Sequence, residues 1–280
     1  MTRNREARTN RVLILLLGLL AILFLLPIGL VVVNSFKSRL YISATPFALP
    51  DETTFVGWEN YLTGLRSAGF AAAFGRSVFI TVGSVLLLVV GCSMTAWYLT
   101  RSAAKWAKWL YLLFVFSMIV PFQMVMYTLT YVVGELNLDS VVGILPIYWG
   151  FGSGLTVFIL AGFVRGIPLE IEEAAMMDGA NPLQCFFRVV FPVMRPTAVT
   201  VSILNAMWIW NDYLLPYLIL GTDRKTVPVA IQIAMQGAYG STDYGGLMAM
   251  LVLAIVPIIA FYLVGQKYII SGVVAGAVKG

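Results

Sequence analysis

Long uninterrupted apolar runs dominate the chain, and short polar segments separate them. Six runs reach the length of about 20 residues that a helix needs to cross a bilayer. They occupy residues 12–33, 77–99, 109–133, 141–164, 197–220 and 245–270. Because the runs are continuously apolar and do not alternate with polar residues, they indicate helices and not the strands of a barrel. The pattern predicts an all-α integral membrane protein with six transmembrane helices.

Two of the polar connections are long enough to carry structure of their own. Residues 34–76 separate the first two spans and contain a short amphipathic piece, 55–65, in which Trp58 and Tyr61 are placed as interfacial aromatics. Residues 165–196 separate the fourth and fifth spans. The remaining parts are a tail of residues 1–11, a core of five spans over 77–270, and a tail of residues 271–280.

Composition and charge agree with a membrane protein. Of the 280 residues, 60% are hydrophobic and 11% are charged, whereas a soluble domain carries about 25% charged residues. Twelve of the 18 Lys and Arg residues lie in segments on one side of the predicted spans, and six lie on the other side. The cation-rich side is normally cytoplasmic, so both termini and residues 165–196 are predicted to be cytoplasmic and residues 34–76 external. Basic residues confined to short loops do not favour nucleic acid as a partner.

The amino terminus combines four arginines with the first apolar run, as a signal peptide does. The run of 22 residues is longer than the apolar region of a cleavable signal, and no small-residue cleavage site follows it. It is therefore predicted to be an uncleaved first span. These features predict a multi-pass membrane protein, surrounded by membrane lipid.

The residue types exclude several classes of chemistry. The chain has no His, which removes His general bases, His-dependent triads and His metal ligands. Cys92 stands in an apolar run and Cys185 in a polar connection, so they predict neither a disulfide framework nor a zinc site. The phosphate-binding pattern GxxxxGK[ST] does not occur in the sequence. The chain is therefore not expected to be an enzyme or to bind a metal or cofactor itself.

Residues 168–196 read PLEIEEAAMMDGANPLQCFFRVVFPVMRP and predict a helix–turn–helix. Pro168 suits the first helical position, and three acids follow in the first turns, where the helix dipole favours negative charge. These acids are Glu170, Glu172 and Glu173. Gly179 suits the left-handed residue that closes a helix. Asp178 lies in the last turn of this helix, where a negative charge is unfavourable by about 0.3–1 kcal/mol. Its presence there suggests a cationic partner from another subunit.

The second helix of this segment is predicted to begin at Asn181 and Pro182, which supply a cap and a first-turn proline. Pro192 and Pro196 are predicted to end it. Because the cytoplasmic surface is otherwise small, this segment is predicted to make the protein's cytoplasmic contacts.

The same segment resembles a motif of permease subunits of ATP-binding cassette (ABC) importers. The family motif is E-A-A, three residues, G, nine residues and I-x-L-P. Here Glu173-Ala174-Ala175 and Gly179 are followed, at matching spacing, by VVFP ending at Pro192. The longer string EAAMMDGANPLQCFFRVVFP is similar to the carbohydrate branch, the maltose-type permeases. The same branch resembles this chain at WNDY (210–213), PFQ (121–123) and GAVKG (276–280).

This resemblance implies a type I ABC importer permease fold and a transport function. In that family the loop forms a coupling helix that lies in a groove of the ATPase subunit. Small Ala174 and Ala175 would allow close approach to such a groove. Gly179 would permit the sharp turn, and Glu173 would offer a charge to a partner cation. An ordinary amphipathic hairpin on the membrane would instead be rich in Lys and Arg.

The partners implied by the resemblance are separate proteins. They are an ABC ATPase dimer that binds ATP and magnesium, a second and distinct permease, an extracytoplasmic solute-binding protein, and the carbohydrate that it delivers. No cofactor is implied for this chain.

Polar residues within a span are candidates for a transport pathway because they are costly there. The fifth predicted span contains Asn205, Trp208, Asn211 and Asp212. At about 100° per residue, Asn205, Trp208 and Asp212 share one face, which offers an amide, an indole and a carboxylate to a sugar. The same groups could instead bind neighbouring helices. Gln123 in the third span is a further candidate.

Aromatic residues and prolines give further predictions about the spans. Trp97, Tyr98, Trp106 and Trp109 are predicted to form an aromatic belt at the cytoplasmic interface. Pro121 and Pro146 are predicted to kink their helices and to free backbone carbonyls.

Three classes of function remain to be weighed. In the leading hypothesis the chain is a passive pathway, because partner ATPases push the coupling loops and switch the pore between inward-facing and outward-facing states. The alternative is an ion-gradient-driven secondary transporter of small polar solutes. Such carriers usually show internal repeats, broken helices or intramembrane acids, and only Asp212 fits that description. An intramembrane enzyme would need paired catalytic groups at membrane depth.

Overall fold

The computed structural model describes residues 2–67, 69–236 and 242–277, and within them most of the chain is helical. In these ranges an isolated antiparallel bridge joins Lys37 and Phe55. In chain order the helices are α1 (Thr2–Asn34), α2 (Arg39–Ala44), α3 (Glu59–Ser67), α4 (Phe70–Arg101), α5 (Lys105–Ser117), α6 (Phe122–Glu135), α7 (Ile144–Val164), α8 (Leu169–Met177), α9 (Pro182–Cys185), α10 (Phe191–Asn211), α11 (Leu214–Leu220), α12 (Val227–Gln236) and α13 (Tyr244–Ala277). A π-helical turn, Phe186–Val190, joins α9 to α10.

Among the described residues, five helical stretches are long and apolar enough to cross a membrane. They are Asn10–Asn34, Phe70–Arg101, Ile144–Val164, Pro182–Asn211 and Tyr244–Leu263. A sixth arises if the bent pair α5 and α6 counts as one span. The predicted spans 12–33, 77–99 and 245–270 each lie inside one helix, and span 141–164 overlaps α7. The prediction of an all-α membrane protein is therefore confirmed.

The two predicted tails are helical where the structure describes them. Helix α1 begins at Thr2, so residues 2–11 of the predicted tail continue the first span as a helix. Helix α13 extends to Ala277 and includes most of the predicted tail 271–280, of which residues 278–280 lie outside the described ranges.

The predicted third span, residues 109–133, is not one continuous helix. Helix α5 ends at Ser117, α6 begins at Phe122, and the two are bent by 105° relative to each other. Pro121 is the N-cap of α6, with an extended ψ of 137°. A proline has no N–H for the preceding turn and disfavours helical backbone in the residue before it. The kink predicted at Pro121 is therefore a complete break.

The predicted fifth span, residues 197–220, begins earlier and is interrupted. The chain is helical from Pro182 through α10, and Asp212 then takes an extended ψ of 123°. The Asp212 carboxylate accepts hydrogen bonds from the backbone N–H groups of Leu214 at 3.0 Å and Leu215 at 3.4 Å. Asp212 is thus the C-cap of α10, and its side chain satisfies free N–H groups at the start of α11.

The prediction that Pro192 and Pro196 end the second helix of the 165–196 segment is wrong. Pro192 is the second residue of α10, and Pro196 lies within that helix. In the π-helical turn just before them, the Phe191 N–H bonds to the Phe186 carbonyl five residues earlier. The π-helical turn ends two residues before Pro192, at the start of α10. Pro192 has no N–H, and at the start of a helix that N–H would have no partner within the helix. The second helix therefore continues into the fifth span.

The chain divides into two compact units. The first comprises Met1–Ala71 and Ala230–Val256, and the second comprises Ala72–Val229 and Pro257–Gly280. In the first unit, Asn60 of α3 donates its side-chain N–H to the Ser35 carbonyl at 2.8 Å. Tyr61 is buried, and its hydroxyl lies 2.8 Å from the Ser35 hydroxyl. The prediction that Tyr61 is an interfacial aromatic is therefore wrong, whereas the side chain of Trp58 is exposed.

In the second unit, α7 is the most buried of the long apolar helices, and 11 of its 21 residues are buried. Helices α5 and α10 both pack against it. Glycines of α7 allow this closeness. A Cβ on Gly152 would lie 2.8 Å from the Leu88 methyl groups of α4, and one on Gly154 would lie 2.7 Å from the Phe114 carbonyl of α5. Helix α7 is thus the central helix around which α4, α5 and α10 pack.

Candidate functional site

Helix α8 ends in a Schellman motif, which is a pair of hydrogen bonds around a left-handed residue. Gly179 has a φ of 88°. Its N–H bonds to the Met176 carbonyl, and the Ala180 N–H bonds to the Ala175 carbonyl, both at 3.0 Å. The left-handed conformation predicted for Gly179 is therefore confirmed.

Helix α9 starts with a capping box. The Asn181 side chain accepts from the Gln184 N–H at 2.9 Å, and the Gln184 side chain accepts from the Asn181 N–H at 3.0 Å. Pro182 occupies the first turn of this helix, and Pro168 is the N-cap of α8, one residue before its predicted place. Because capping at both ends is local chemistry, the predicted helix–turn–helix forms.

The residues of the E-A-A motif differ in exposure. Exposed residues are Glu173, Ala174, Asp178 and Gly179, which together are named the α8 surface below. Ala175 is half-buried, and Pro192 is exposed but lies beyond the turn, in α10. The α8 surface therefore combines two carboxylates with a small side chain and a turn, and the exposed side chains of Met176 and Met177 lie between Ala174 and Asp178 along the chain.

One acid of α8 is directed inward, and the sequence analysis missed its role. Glu172 is 2% exposed, and its Oε1 accepts from Arg101 Nε at 2.9 Å and from Nη2 at 2.7 Å. Its Oε2 accepts from the indole N–H of Trp97 at 2.8 Å. Both carboxylate oxygens are thus bonded to side chains of α4. No local pattern marks this pair, because Arg101 and Glu172 are 71 residues apart.

The interpretation of Trp97 as part of an aromatic belt is wrong. Its indole bonds to Glu172, and its ring packs against Phe186 with the centroids 5.4 Å apart. The other three members are exposed, as a belt requires. They are Tyr98, Trp106 and Trp109.

Two of the predicted pathway residues meet at one cavity. Asn205 is 4% exposed, and its side-chain NH₂ donates to Thr156 Oγ1 of α7 at 2.9 Å and to the Val201 carbonyl at 2.8 Å. Trp208 is 42% exposed. Both residues line a cavity of about 310 Å³. The lining residues are Met118, Phe151, Gly152, Leu155, Leu204, Asn205 and Trp208.

Asp212 reaches this cavity indirectly, through a residue that the sequence analysis did not identify. The buried Tyr148 donates its hydroxyl to Asp212 at 3.0 Å. The Tyr148 ring meets Trp208 edge to face, with centroids 5.5 Å apart and an angle of 86°. Asn211 bonds to a carbonyl of its own helix, and Gln123 is exposed in the first turn of α6. Neither Asn211 nor Gln123 lines the cavity.

The candidate chemistry of the site is hydrogen bonding and aromatic contact. Within the described ranges, no group of three or more Cys, Asp or Glu side chains comes together as metal ligands would. Cys92 and Cys185 are both buried, and neither forms a disulfide.

Residues 87–274 match the family described as binding-protein-dependent transport system inner membrane component. The matched range encloses the α8 surface, the Arg101–Glu172 pair and the cavity lined by Trp208. It covers more than half of the chain and includes most of the second compact unit.

Curated relatives match over nearly the full length of the chain. AmyC of Thermoanaerobacterium thermosulfurigenes, a probable starch degradation products transport system permease protein, is 34% identical over 98% of this chain and 99% of its own length. MsmG of Streptococcus mutans, a multiple sugar-binding transport system permease protein, is 34% identical over 92% of this chain and 93% of its own. MelC of Bacillus subtilis, a melibiose/raffinose/stachyose import permease protein, is 31% identical over 99% of this chain and 100% of its own.

Solved structures share the fold. A chain of a bacterial ABC transporter involved in the import of the acidic polysaccharide alginate superposes with a TM-score of 0.79 at 23% identity, over 94% of this chain and 97% of that chain. A chain of a bacterial alginate ABC transporter in complex with an alginate pentasaccharide-bound periplasmic protein superposes with a TM-score of 0.66 at 14% identity, over 94% of this chain and 95% of that chain. The predicted ABC importer permease fold is thereby confirmed.

Proposed function

The chain belongs to the family of binding-protein-dependent transport system inner membrane components, and from this premise we propose that it is one permease of an ATP-driven sugar importer. It forms half of the pathway, and a second, related permease forms the other half. An extracytoplasmic binding protein delivers the sugar. An ABC ATPase dimer binds ATP and magnesium, so this chain performs no hydrolysis.

The observation that carries the proposal is the α8 surface. It lies inside the matched range 87–274, and its side chains stand free of the bundle at a sharp turn. Ala174 leaves room for another protein surface to approach closely, and Glu173 offers a charge to a partner cation. These properties suit a helix that enters a groove of an ATPase and is moved by it.

A carbohydrate substrate is supported by the relatives and by the cavity. The names of the three relatives mention sugars: starch degradation products for the first, multiple sugars for the second, and melibiose, raffinose and stachyose for the third. Trp208 is the residue that we expect to contact the sugar, because its ring is partly exposed in the cavity and can stack on the C–H face of a pyranose. Both N–H groups of the Asn205 amide are already bonded within the protein, so Asn205 shapes the cavity wall.

Asp212 supports the same site through Tyr148. The Asp212 carboxylate holds the Tyr148 hydroxyl, and the Tyr148 ring fixes the edge of the Trp208 ring. Because this chain of contacts orients the indole, Asp212 influences sugar binding without touching the sugar.

The proposed orientation follows the distribution of cations. The predicted cytoplasmic segments carry twelve of the 18 Lys and Arg residues, which favours a cytoplasmic position for both termini and for the α8 surface. An ATPase in the cytoplasm would then meet the α8 surface directly. The protein would lie in the cytoplasmic membrane of a bacterium or archaeon.

The test is uptake of radiolabelled maltotriose, raffinose and melibiose into proteoliposomes that contain the complex purified through this chain. With the binding protein outside and ATP inside, we expect uptake of at least one sugar, and we expect it to persist when a protonophore removes the proton gradient. Uptake that needs an imposed ion gradient and ignores ATP would identify a secondary transporter and refute the proposal.

A further inference from the structure

Helix α4 contacts the segment around α8 at three places. Arg101, the last residue of α4, donates Nη2 to the Ile167 carbonyl at 2.8 Å and both Nε and Nη2 to Glu172 Oε1. One turn earlier, Trp97 donates its indole N–H to Glu172 Oε2 and packs its ring on Phe186. These contacts hold the chain before α8, within α8 and after α9.

The buried acid and the exposed acid of α8 are adjacent residues. Glu172 is 2% exposed and bonds to α4, whereas Glu173 belongs to the α8 surface. The two side chains leave the helix about 100° apart. The exposed carboxylate of the α8 surface and the buried carboxylate bonded to α4 therefore belong to consecutive residues of one helix.

The Arg101–Glu172 pair is better suited to fixing geometry than to stabilising the fold. Replacing a buried ion pair with apolar side chains of similar size is often neutral or stabilising, so stability alone does not explain the pair. The Arg101 guanidinium is planar, and its charge-assisted bonds set both distance and direction. The Trp97 N–H holds the second carboxylate oxygen, and the Glu172 side chain is thereby fixed in one orientation.

The same helix α4 leads to the wall of the candidate sugar cavity. Leu88 of α4 packs closely against Gly152 of α7, because an added Cβ on Gly152 would lie 2.8 Å from the Leu88 methyl groups and 3.1 Å from Asn205 Oδ1. Gly152 and Asn205 both line the cavity to which Trp208 is exposed. Helix α4 therefore contacts the α8 segment at one end and the cavity wall further along.

We propose that Arg101 is a positioning residue for transport, which joins α4 to α8 through Glu172 so that movement of α8 displaces α4 and the cavity wall. Helices α7 and α10 are connected to this segment by the chain itself, whereas α4 is joined to it by the contacts of Arg101 and Trp97. The inference rests on the proposed function, because it requires an ATPase that moves α8.

The test neutralises the pair without leaving an unpaired buried charge. In the double variant Arg101→Met with Glu172→Gln, we expect wild-type recovery of the complex and wild-type basal ATP hydrolysis. Sugar transported per ATP hydrolysed is expected to fall by about 5- to 150-fold, the usual range of coupling between distant sites. Arg101→Lys keeps the positive charge but loses the planar set of guanidinium donors, so the sugar transported per ATP should lie between the wild-type and double-variant values. Lys105→Met and Glu170→Gln remove exposed charges nearby and should keep the wild-type ratio.

Each outcome of this experiment decides a separate question. A wild-type complex without ATP-dependent uptake refutes the proposed function, and the inference is refuted with it. With an active wild-type complex, a double variant that transports at the wild-type ratio overturns the inference and leaves the proposed function intact. If the double variant and Arg101→Lys both fail to assemble while the controls assemble, the pair serves folding, and the inference is again overturned.

Discussion

Replacing Gly179 with alanine isolates the backbone requirement of the turn between α8 and α9. A Cβ at this position meets no atom within 4 Å, so the substitution causes no collision. The φ of 88° is therefore the source of any cost, and a residue with a Cβ in the left-handed region loses about 1–2 kcal/mol. A change of that size raises the population of the open turn by about 5- to 30-fold.

Two further variants test whether φ is the cause. Asparagine tolerates the left-handed region better than alanine, so Gly179→Asn should lose less than Gly179→Ala. Gly162 of α7 also has open space around an added Cβ, but its φ is not in the left-handed region. Gly162→Ala should therefore stabilise its helix by about 0.5–1 kcal/mol.

Hydrogen exchange, measured by mass spectrometry on the protein in nanodiscs, reports how often the hydrogen bonds of this turn open. The N–H groups of Asp178, Gly179 and Ala180 are each bonded to α8 carbonyls at 3.0 Å. In Gly179→Ala, peptides that cover these groups should exchange about 5- to 30-fold faster than in the wild type, and sugar uptake should fall. Exchange at the wild-type rate in Gly179→Ala would refute the assignment of the cost to φ.

Two further predictions concern the cavity. Asn205→Leu removes the partner of the Thr156 hydroxyl and should destabilise the protein by about 1–3 kcal/mol, whereas Asn211→Leu, at an exposed position, should change stability by no more than about 0.5 kcal/mol. Thermal unfolding in detergent compares them, and equal losses would contradict the assignment. Trp208→Ala should raise the half-saturating sugar concentration by about 2- to 12-fold, the value of one aromatic contact. Trp208→Phe keeps a ring against Tyr148 and should raise it less. Unchanged uptake kinetics in both variants would assign Trp208 to helix packing.

Local chemistry made the turn between α8 and α9 predictable from the sequence. Gly179, Asn181 and Gln184 act on backbone groups within a few residues of themselves, so their types and spacing carry the information. The same holds for Pro121, whose missing N–H breaks the third span at the expected position. The extent of that break, a bend of 105°, depends on packing against other helices and is not encoded in one residue.

Contacts between distant residues were not predictable in the same way. Arg101 and Glu172 meet across 71 residues, and the sequence assigned Glu172 to the dipole of its own helix and Trp97 to an interface. Tyr148 was missed because it stands in an apolar run, while its partner Asp212 lies 64 residues away. In each case the apolar pattern predicts that the helices pack and leaves open which polar groups face each other.

The continuation of the fifth span shows a local rule overridden by its surroundings. Pro192 and Pro196 are strong signals for a helix end, and the chain nevertheless remains helical from Pro182 to the end of α10. The π-helical turn that comes just before Pro192 includes Phe186 and Val190, and both of these residues are buried. A π-helical turn has no short sequence signature, so the prediction failed at this point.

Co-purification tests the central claim most directly. This chain, carrying an affinity tag, would be extracted from its native membranes in mild detergent, the proteins in the eluate identified, and ATP hydrolysis measured with and without binding protein and sugar. The account predicts an ABC ATPase and a second permease in the eluate, with hydrolysis stimulated by the loaded binding protein. A chain that elutes alone or only with copies of itself, with no ATP hydrolysis, would contradict it.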